Sequence, residues 1–319
     1  MNISTPISLK TAFDSSHLKN LHFEDLLQID VASEYKSFQI KNKTTLKPSD
    51  KLKKILRFLN TFIFNYSLMN TNVVHSYRKG KNPFTAVQKH ANSKYFFQTD
   101  IQNFFYSITD KDVKNVINKN LGNTPISDIN TYKSQLLNFA MADKKTLPVG
   151  FPTSPSISNS CLYDFDNDLE DYCLKRKMIY TRYSDDIILS SKSTNLTNIE
   201  SIISNKLNHF YDGRFKLNPN KTKHTNKGRK IKLLGIVILP SGKVSVDIKV
   251  KKQLEILLHF YINDKEKFSD YLINKYKGSL LTISGQINNI NTIDKTYINK
   301  LRKKYGNFVI DTFIHRTIK

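Results

Sequence analysis

Tyr180-Thr181-Arg182-Tyr183-Ser184-Asp185-Asp186-Ile187 (YTRYSDDI) lies inside a β-rich run, Met178 to Ser191, that is interrupted by three polar residues. Aromatic and β-branched residues on both sides predict two strands meeting in a hairpin with Ser184, Asp185 and Asp186 at its tip. Upstream, Tyr95 to Ile101 (YFFQTDI) is short, apolar and aromatic-rich, which predicts a buried strand ending at Asp100. Asp185 follows Asp100 by 85 residues, so two strand ends can bring three carboxylates together. A lone Asp-Asp is more often a solvated turn than a catalytic pair. If the three converge, they repel one another unless cations neutralise them. Two Mg²⁺ ions about 4 Å apart, sharing oxygen ligands between carboxylates and substrate phosphates, would meet that need and support in-line displacement at phosphorus.

The rest of the composition agrees with a polyanionic partner. The chain has 319 residues, 39% of them hydrophobic, with 50 Lys+Arg against 27 Asp+Glu and a net charge of +23. That is a globular composition, long enough for one large or two modest domains. A surplus of this size points to nucleic acid, although Lys-, Asn- and Ile-rich usage can also reflect coding-sequence composition and leave a merely solvated surface. The distribution matters more. Residues 95 to 186 hold 12 of the 27 carboxylates and 10 of the 50 basic residues, so an acidic centre sits in a basic frame. No apolar run approaches the ~20 residues of a membrane span, the longest being Leu233 to Leu239, and no secretory signal opens the chain. A cytoplasmic protein with no membrane partner is expected. Cys161 and Cys173 form neither a disulfide framework nor a zinc module and read as packing residues.

Around this centre, residues 1 to 33 are expected to be helical, with Phe23, Leu26, Leu27 and Ile29 as core contacts. Tyr35 to Thr45 reads as extended, ended by Pro48, and Asp50 to Phe64 as an amphipathic helix. A helix is expected near Lys111 to Asn120. Three prolines and a glycine in Leu147 to Ser156 (LPVGFPTSPS) predict an irregular stretch, with a helix from Ser158 to Lys175 capped by Ser156 or Ser158. Another helix is expected at Thr197 to Tyr211. Leu233 to Leu239, a Pro-Ser-Gly turn and Lys243 to Val246 suggest a second hairpin, and the chain from Val250 onward has helical spacing. Strands interleaved with helices indicate an α+β fold.

Three motifs in order, TDIQNFF (Thr99 to Phe105), LPVGFPTSPSISN (Leu147 to Asn159) and YTRYSDDI, resemble the motif series of reverse transcriptases. In detail the chain is similar to the bacterial retron enzymes, through KYFFQTDIQNFFYSI, IYTRYSDD and, near the C-terminus, LRKKYGN. It departs from the retron pattern in two places. Ala86-Val87-Gln88-Lys89-His90 keeps the histidine of NAxxH without its Asn-Ala, and Leu233-Leu234-Gly235 stands where VTG is usual. A non-retron bacterial reverse transcriptase, defence-associated or group II intron-like, and a catalytically idle RNA-binding scaffold are the alternatives; the intact carboxylates speak against the scaffold.

The resemblance implies a right-hand polymerase with fingers, a ferredoxin-like palm and a helical thumb. The expected divisions are residues 1–94 for N-terminal helices and fingers, 95–245 for the palm with a fingers insertion at about 110–150, and 246–319 for the thumb. It implies catalysis by Asp100, Asp185 and Asp186, with metal held by these three and the Ile101 carbonyl. Phe105 matches a steric gate that excludes a 2′-OH; one of Phe104 and Phe105 should be a core ring. Pro148, Val149 and Gly150 would shape the nucleotide-binding loop, with Val149 in place of the common glutamine. Lys36, Lys41 and Lys43 stand where triphosphate-binding cations belong, Lys43 foremost. Lys216 to Lys252 carries 11 basic residues and one acid, Asp247. Lys221, Lys223, Arg229, Lys230 and Lys232 are expected on nucleic-acid phosphates, as are Arg302, Lys303 and Lys304 on the thumb. His90 is read as structural or RNA-contacting. The implied partners are dNTPs, a structured noncoding RNA acting as template and primer, the cDNA product and an accessory effector protein.

Overall fold

The computed structural model describes residues 5–40, 43–142, 144–226, 228 and 230–315; Lys41 and Arg229 lie outside the described residues. The chain divides into two compact units, residues 1–81, 97–189 and 194–224 forming one and residues 82–96, 190–193 and 225–319 the other.

In the first unit, β1 (Tyr35–Ile40) and β2 (Lys43–Pro48) pair antiparallel, with Tyr35 opposite Pro48 and Ile40 opposite Lys43. Helix Asp50–Phe62 follows. Ser49 caps it by accepting from the Leu52 amide, and its apolar stripe of Leu52, Ile55, Leu56, Phe58 and Leu59 is buried. Most of a four-stranded sheet also belongs to this unit; its strands are β3 (Tyr95–Asp100), β4 (Met178–Tyr183), β5 (Asp186–Ser191) and β6 (Lys223–Asn226), in the order β4-β5-β3-β6. With helices between β3 and β4 and helix Ile199–Tyr211 between β5 and β6, the chain order is that of a split βαββαβ unit. Such an order makes β3 and β5 neighbours although 85 residues separate their acidic ends. Helix Tyr163–Lys175 packs on β4. Phe97, Phe165, Leu169, Ile187, Ile188 and Leu189 are fully buried at the centre of this unit.

In the second unit, β7 (Ile231–Leu233), β8 (Ile236–Ile238) and β9 (Val244–Val246) form an antiparallel meander. Helices Ile248–Asn263, Leu280–Ile293, Lys295–Tyr305 and Asn307–His315 follow, and Leu254, Leu257, Ile283, Ile287, Ile298, Ile310 and Phe313 form their core.

Three expectations need correction. Regular structure resumes at Ser154, four residues before the expected start: helix Ser154–Cys161 carries Pro155 in its first turn, where a missing N–H costs nothing, and a break at Leu162 separates it from Tyr163–Lys175. The run Leu233 to Leu239 is two strands rather than one. Leu234 and Gly235 form a two-residue turn with φ of +49° and +80° between Leu233 and its partner Ile236. Leu27 is exposed, while Phe23 and Leu26 are buried as expected. His90 is fully buried with Nδ1 2.6 Å from Ser190 Oγ, so its role is structural.

Candidate active site

β3 ends in Asp100, and the next amide, Ile101 N–H, donates to the Asp185 carbonyl at 3.0 Å. That bond ties the end of β3 to the tip preceding β5. The tip is a tight turn in which Ser184 takes φ +59°, a conformation that short polar residues tolerate better than branched ones. Asp100 is 3% exposed. Its Oδ2 accepts from Lys221 Nζ at 2.8 Å, and its Oδ1 is buried without a hydrogen-bond partner. Asp185 and Asp186 are half-buried. Burial, followed by the charges of Asp185 and Asp100, pushes the Asp186 carboxyl up to about 6, with Lys221 acting in the opposite direction. The hydrogen bond to Asp100 in turn raises the Lys221 ammonium above its ordinary value.

The three carboxylates therefore share one electrostatic environment that is short of positive charge. The orphaned Asp100 oxygen and the acid-weakened Asp186 both fit a site that receives a cation. Among the described residues, no group of three or more His, Cys, Asp or Glu side chains could hold a metal ion by itself. An all-oxygen site of this kind suits a hard divalent ion that draws its remaining ligands from substrate phosphates and water.

A network that the sequence did not reveal lies directly beneath the tip. Arg182 is fully buried and all five of its N–H donors are directed at acceptors. Nε and Nη2 meet Asp166 Oδ1 and Oδ2 at 2.8 and 2.6 Å, Nη1 meets the Ser184 carbonyl at 2.9 Å, and Asn159 supplies Oδ1 and its carbonyl at 3.3 Å each. Asp166 is also fully buried and accepts a third bond from the Tyr180 hydroxyl at 2.7 Å. Burial opposes the Arg182 charge, yet the Asp166 carboxylate beside it holds the guanidinium above its ordinary value. Removing one member of such a pair strands a buried charge, at a cost of about 3–5 kcal/mol.

The loop before helix Ser154–Cys161 is fixed from both sides. Ser154 Oγ donates to the Pro148 carbonyl at 2.6 Å, and the Leu46 amide of β2 donates to the Val149 carbonyl at 2.8 Å. Gly150 has φ +106°, and a Cβ there would run into the Leu46 carbonyl oxygen. Phe104 is the core ring of its pair, packed edge-on to Phe105 and tilted against Phe215; Phe105 itself is half-exposed. Lys43 and Lys36 are exposed on the β1–β2 hairpin.

The basic residues expected on nucleic acid are mostly engaged within the protein. Lys221 is on Asp100. Lys230 and Lys232 flank Asp247 at 2.8 and 3.3 Å. Asp247 also caps helix Ile248–Asn263, and the hydrogen bond from Lys230 is the largest of several influences holding its carboxyl well below the usual range. Arg302 pairs with Asp311 and Lys304 with Glu255. Lys223 and Lys303 are exposed.

Residues 39–238 match the family model described as reverse transcriptase (RNA-dependent DNA polymerase). The Retron Ec83 reverse transcriptase of Escherichia coli is 26% identical over 301 residues, covering 90% of this chain and 92% of that protein. The Retron Mx162 reverse transcriptase of Myxococcus xanthus is 24% identical over 75% of this chain, which spans about half of that protein (54%). Among solved structures, apo telomerase from Candida tropicalis aligns with 96% of this chain and 57% of its own, at 12% identity and a TM-score of 0.47. No helix of the described residues is long and apolar enough to cross a membrane. With an α+β polymerase fold, a family match across most of its length and retron enzymes among its relatives, the chain belongs to the reverse transcriptase family as a retron-type RNA-directed DNA polymerase.

Proposed function

We propose that this polymerase copies a dedicated structured noncoding RNA, which serves as both template and primer, into single-stranded cDNA. It does so by two-metal nucleotidyl transfer with Mg²⁺. The observation that carries this reading is the shared acidic site of Asp100, Asp185 and Asp186, where burial first, and then the charges of Asp185 and Asp100, keep Asp186 a weak acid. In this scheme Asp100, Asp185 and the Ile101 carbonyl hold the metal, and Asp186 supports them. Bound divalent ions supply charge stabilisation for the attacking 3′-oxygen and the leaving pyrophosphate. The protein's own part is to aim the carboxylates, exclude competing cations and orient the nucleotide. Lys43 binds the triphosphate of the incoming dNTP, Phe105 closes the space below its sugar, and the Pro148-Val149-Gly150 backbone lies against it.

Residues 1–94 then act as N-terminal helices and fingers, 95–245 as the palm with its fingers insertion at about 110–150, and 246–319 as the thumb. Lys221, Lys223, Arg229, Lys230, Lys232, Arg302, Lys303 and Lys304 contact RNA or the growing duplex through phosphates. In this reading the enzyme acts in the cytoplasm, in anti-phage defence alongside an accessory effector protein, as the resemblance to retron enzymes implies. The test is to isolate the protein from its host and sequence the nucleic acid bound to it. One recurrent RNA joined to cDNA, absent from the Asp185→Asn/Asp186→Asn double variant, is the expected result. Random cellular RNA, or undiminished Mg²⁺-dependent dNTP incorporation by the double variant, would reject it.

A further inference from the structure

We infer that Arg182 is a positioning residue for the carboxylate tip, acting through the Ser184 carbonyl and resting on the assignment of Asp185 to catalysis. Arg182 is enclosed on every side by protein and touches no reacting atom. Its Nη1 donates 2.9 Å to the Ser184 carbonyl, the peptide unit that leads directly into Asp185. The guanidinium plane is set independently of the tip. Asp166 on helix Tyr163–Lys175 grips Nε and Nη2, and Asn159 on helix Ser154–Cys161 grips Nη1 and Nη2. Asn159 is itself anchored to Ser76, whose hydroxyl donates to Asn159 Oδ1 and whose carbonyl accepts from Nδ2, each at 3.0 Å. The main chain of Arg182 is held as well, its amide donating to the Val73 carbonyl and its carbonyl accepting from the His75 amide.

Two helices and the segment around residues 73–76 thus fix one planar fork, and the fork has one donor aimed at the turn. Ser184 stands at φ +59°, away from the favoured regions for a residue with a side chain, so the turn benefits from an external restraint. A lysine could keep the charge beside Asp166. It could not hold Asp166 and the Ser184 carbonyl together, because only the guanidinium presents its donors in a rigid fork.

The test is Arg182→Lys in purified enzyme, with Tyr180→Phe as comparator. Tyr180→Phe removes a buried bond to Asp166 and leaves the Arg182–Ser184 bond in place. Misplacing a reacting group by about 1 Å costs on the order of 100-fold. Arg182→Lys is therefore expected to lower kcat for dNTP incorporation about 100-fold and to raise the Mg²⁺ concentration for half-maximal rate, with Kd for primer–template RNA unchanged. Tyr180→Phe should lower Tm while leaving the Mg²⁺ midpoint and kcat at wild-type values. If Arg182→Lys does not fold, Asn159→Ala carries the test, since it removes the Oδ1 acceptor that steadies Nη1 beside the Ser184 carbonyl and keeps the Asp166 pair. An activity loss in the tested variant that merely tracks its folded fraction, with the Mg²⁺ midpoint unmoved, would overturn the inference. So would equal shifts in Tyr180→Phe. Wild-type enzyme without activity, or an active Asp185→Asn, would instead overturn the proposed function.

Discussion

Replacing Gly150 with alanine tests the contact between the loop at residues 147–153 and the β1–β2 hairpin. Gly150 sits at φ +106°, outside even the left-handed region that Asn or Asp can occupy, and such strain costs a residue with a side chain about 1–3 kcal/mol. The added methyl also meets the Leu46 carbonyl oxygen, which is main chain and cannot rotate aside. Relief requires the loop to withdraw from β2, which stretches the 2.8 Å bond from the Leu46 amide to the Val149 carbonyl, worth about 1 kcal/mol. Together these predict a loss of about 2–4 kcal/mol, measurable as a fall in the urea midpoint at unchanged slope. Gly285 provides the opposite case. It is exposed inside helix Leu280–Ile293 with nothing near its missing Cβ, so Gly285→Ala should stabilise by about 0.5–1 kcal/mol. Gly150→Ala within 0.5 kcal/mol of wild type, or the two variants shifting the same way, would refute the reasoning.

Two further outcomes follow from the acidic site. The Asp186 carboxyl rises from its ordinary value of 3.8 to about 6, so this group favours the fold while protonated and loses that contribution as pH rises through about 6. In chelator, Asp186→Asn should be more stable than wild type at pH 8 by about 1–2 kcal/mol, a figure already reduced for partial solvent screening. The advantage should vanish near pH 4; thermal melts across pH 4–8 measure it, and a pH-independent difference would contradict it. Phe105→Val should lower discrimination against ribonucleotides by at least tenfold in kcat/KM, at about 1.4 kcal/mol per decade, with dNTP incorporation retained. Unchanged discrimination would remove Phe105 from the sugar site.

The strands carrying the site were readable because their sequence signals are local. Aromatic and β-branched runs around Asp100 and around Ser184-Asp185-Asp186 produced β3, β4 and β5 at nearly their observed limits. Proline carries two opposite signals: in Leu147 to Ser156 it keeps the chain irregular at Pro148 and Pro152 but fits the first turn of a helix at Pro155. The turn at Leu234-Gly235 was hidden because leucine at positive φ contradicts its own preference, and pairing of β7 with β8 and β8 with β9 imposes it. The Arg182 network was out of reach for a different reason. An arginine in a strand reads as solvent-facing unless its counter-ion is known, and Asp166 belongs to another helix. A signal was present nonetheless, since Asp166 shares the spacing of Leu169 and Cys173 and so lies on a buried helical face. The basic residues show the converse. A run of cations looked free in sequence, while Asp247, Glu255 and Asp311 hold several of them in the fold.

Main-chain bonding fastens the hairpin along β2, and Tyr35 of β1 adds a hydroxyl bond to the Ala142 carbonyl and an edge-on contact with Phe151. β2 is bonded at Leu46 to the Val149 carbonyl and at the Thr44 carbonyl to the Tyr106 hydroxyl, 2.9 Å away, whereas β1 presents Phe38 and Ile40 to solvent. The register between β2 and the loop is therefore set by main-chain atoms and does not depend on which side chains stand at Leu46 and Val149.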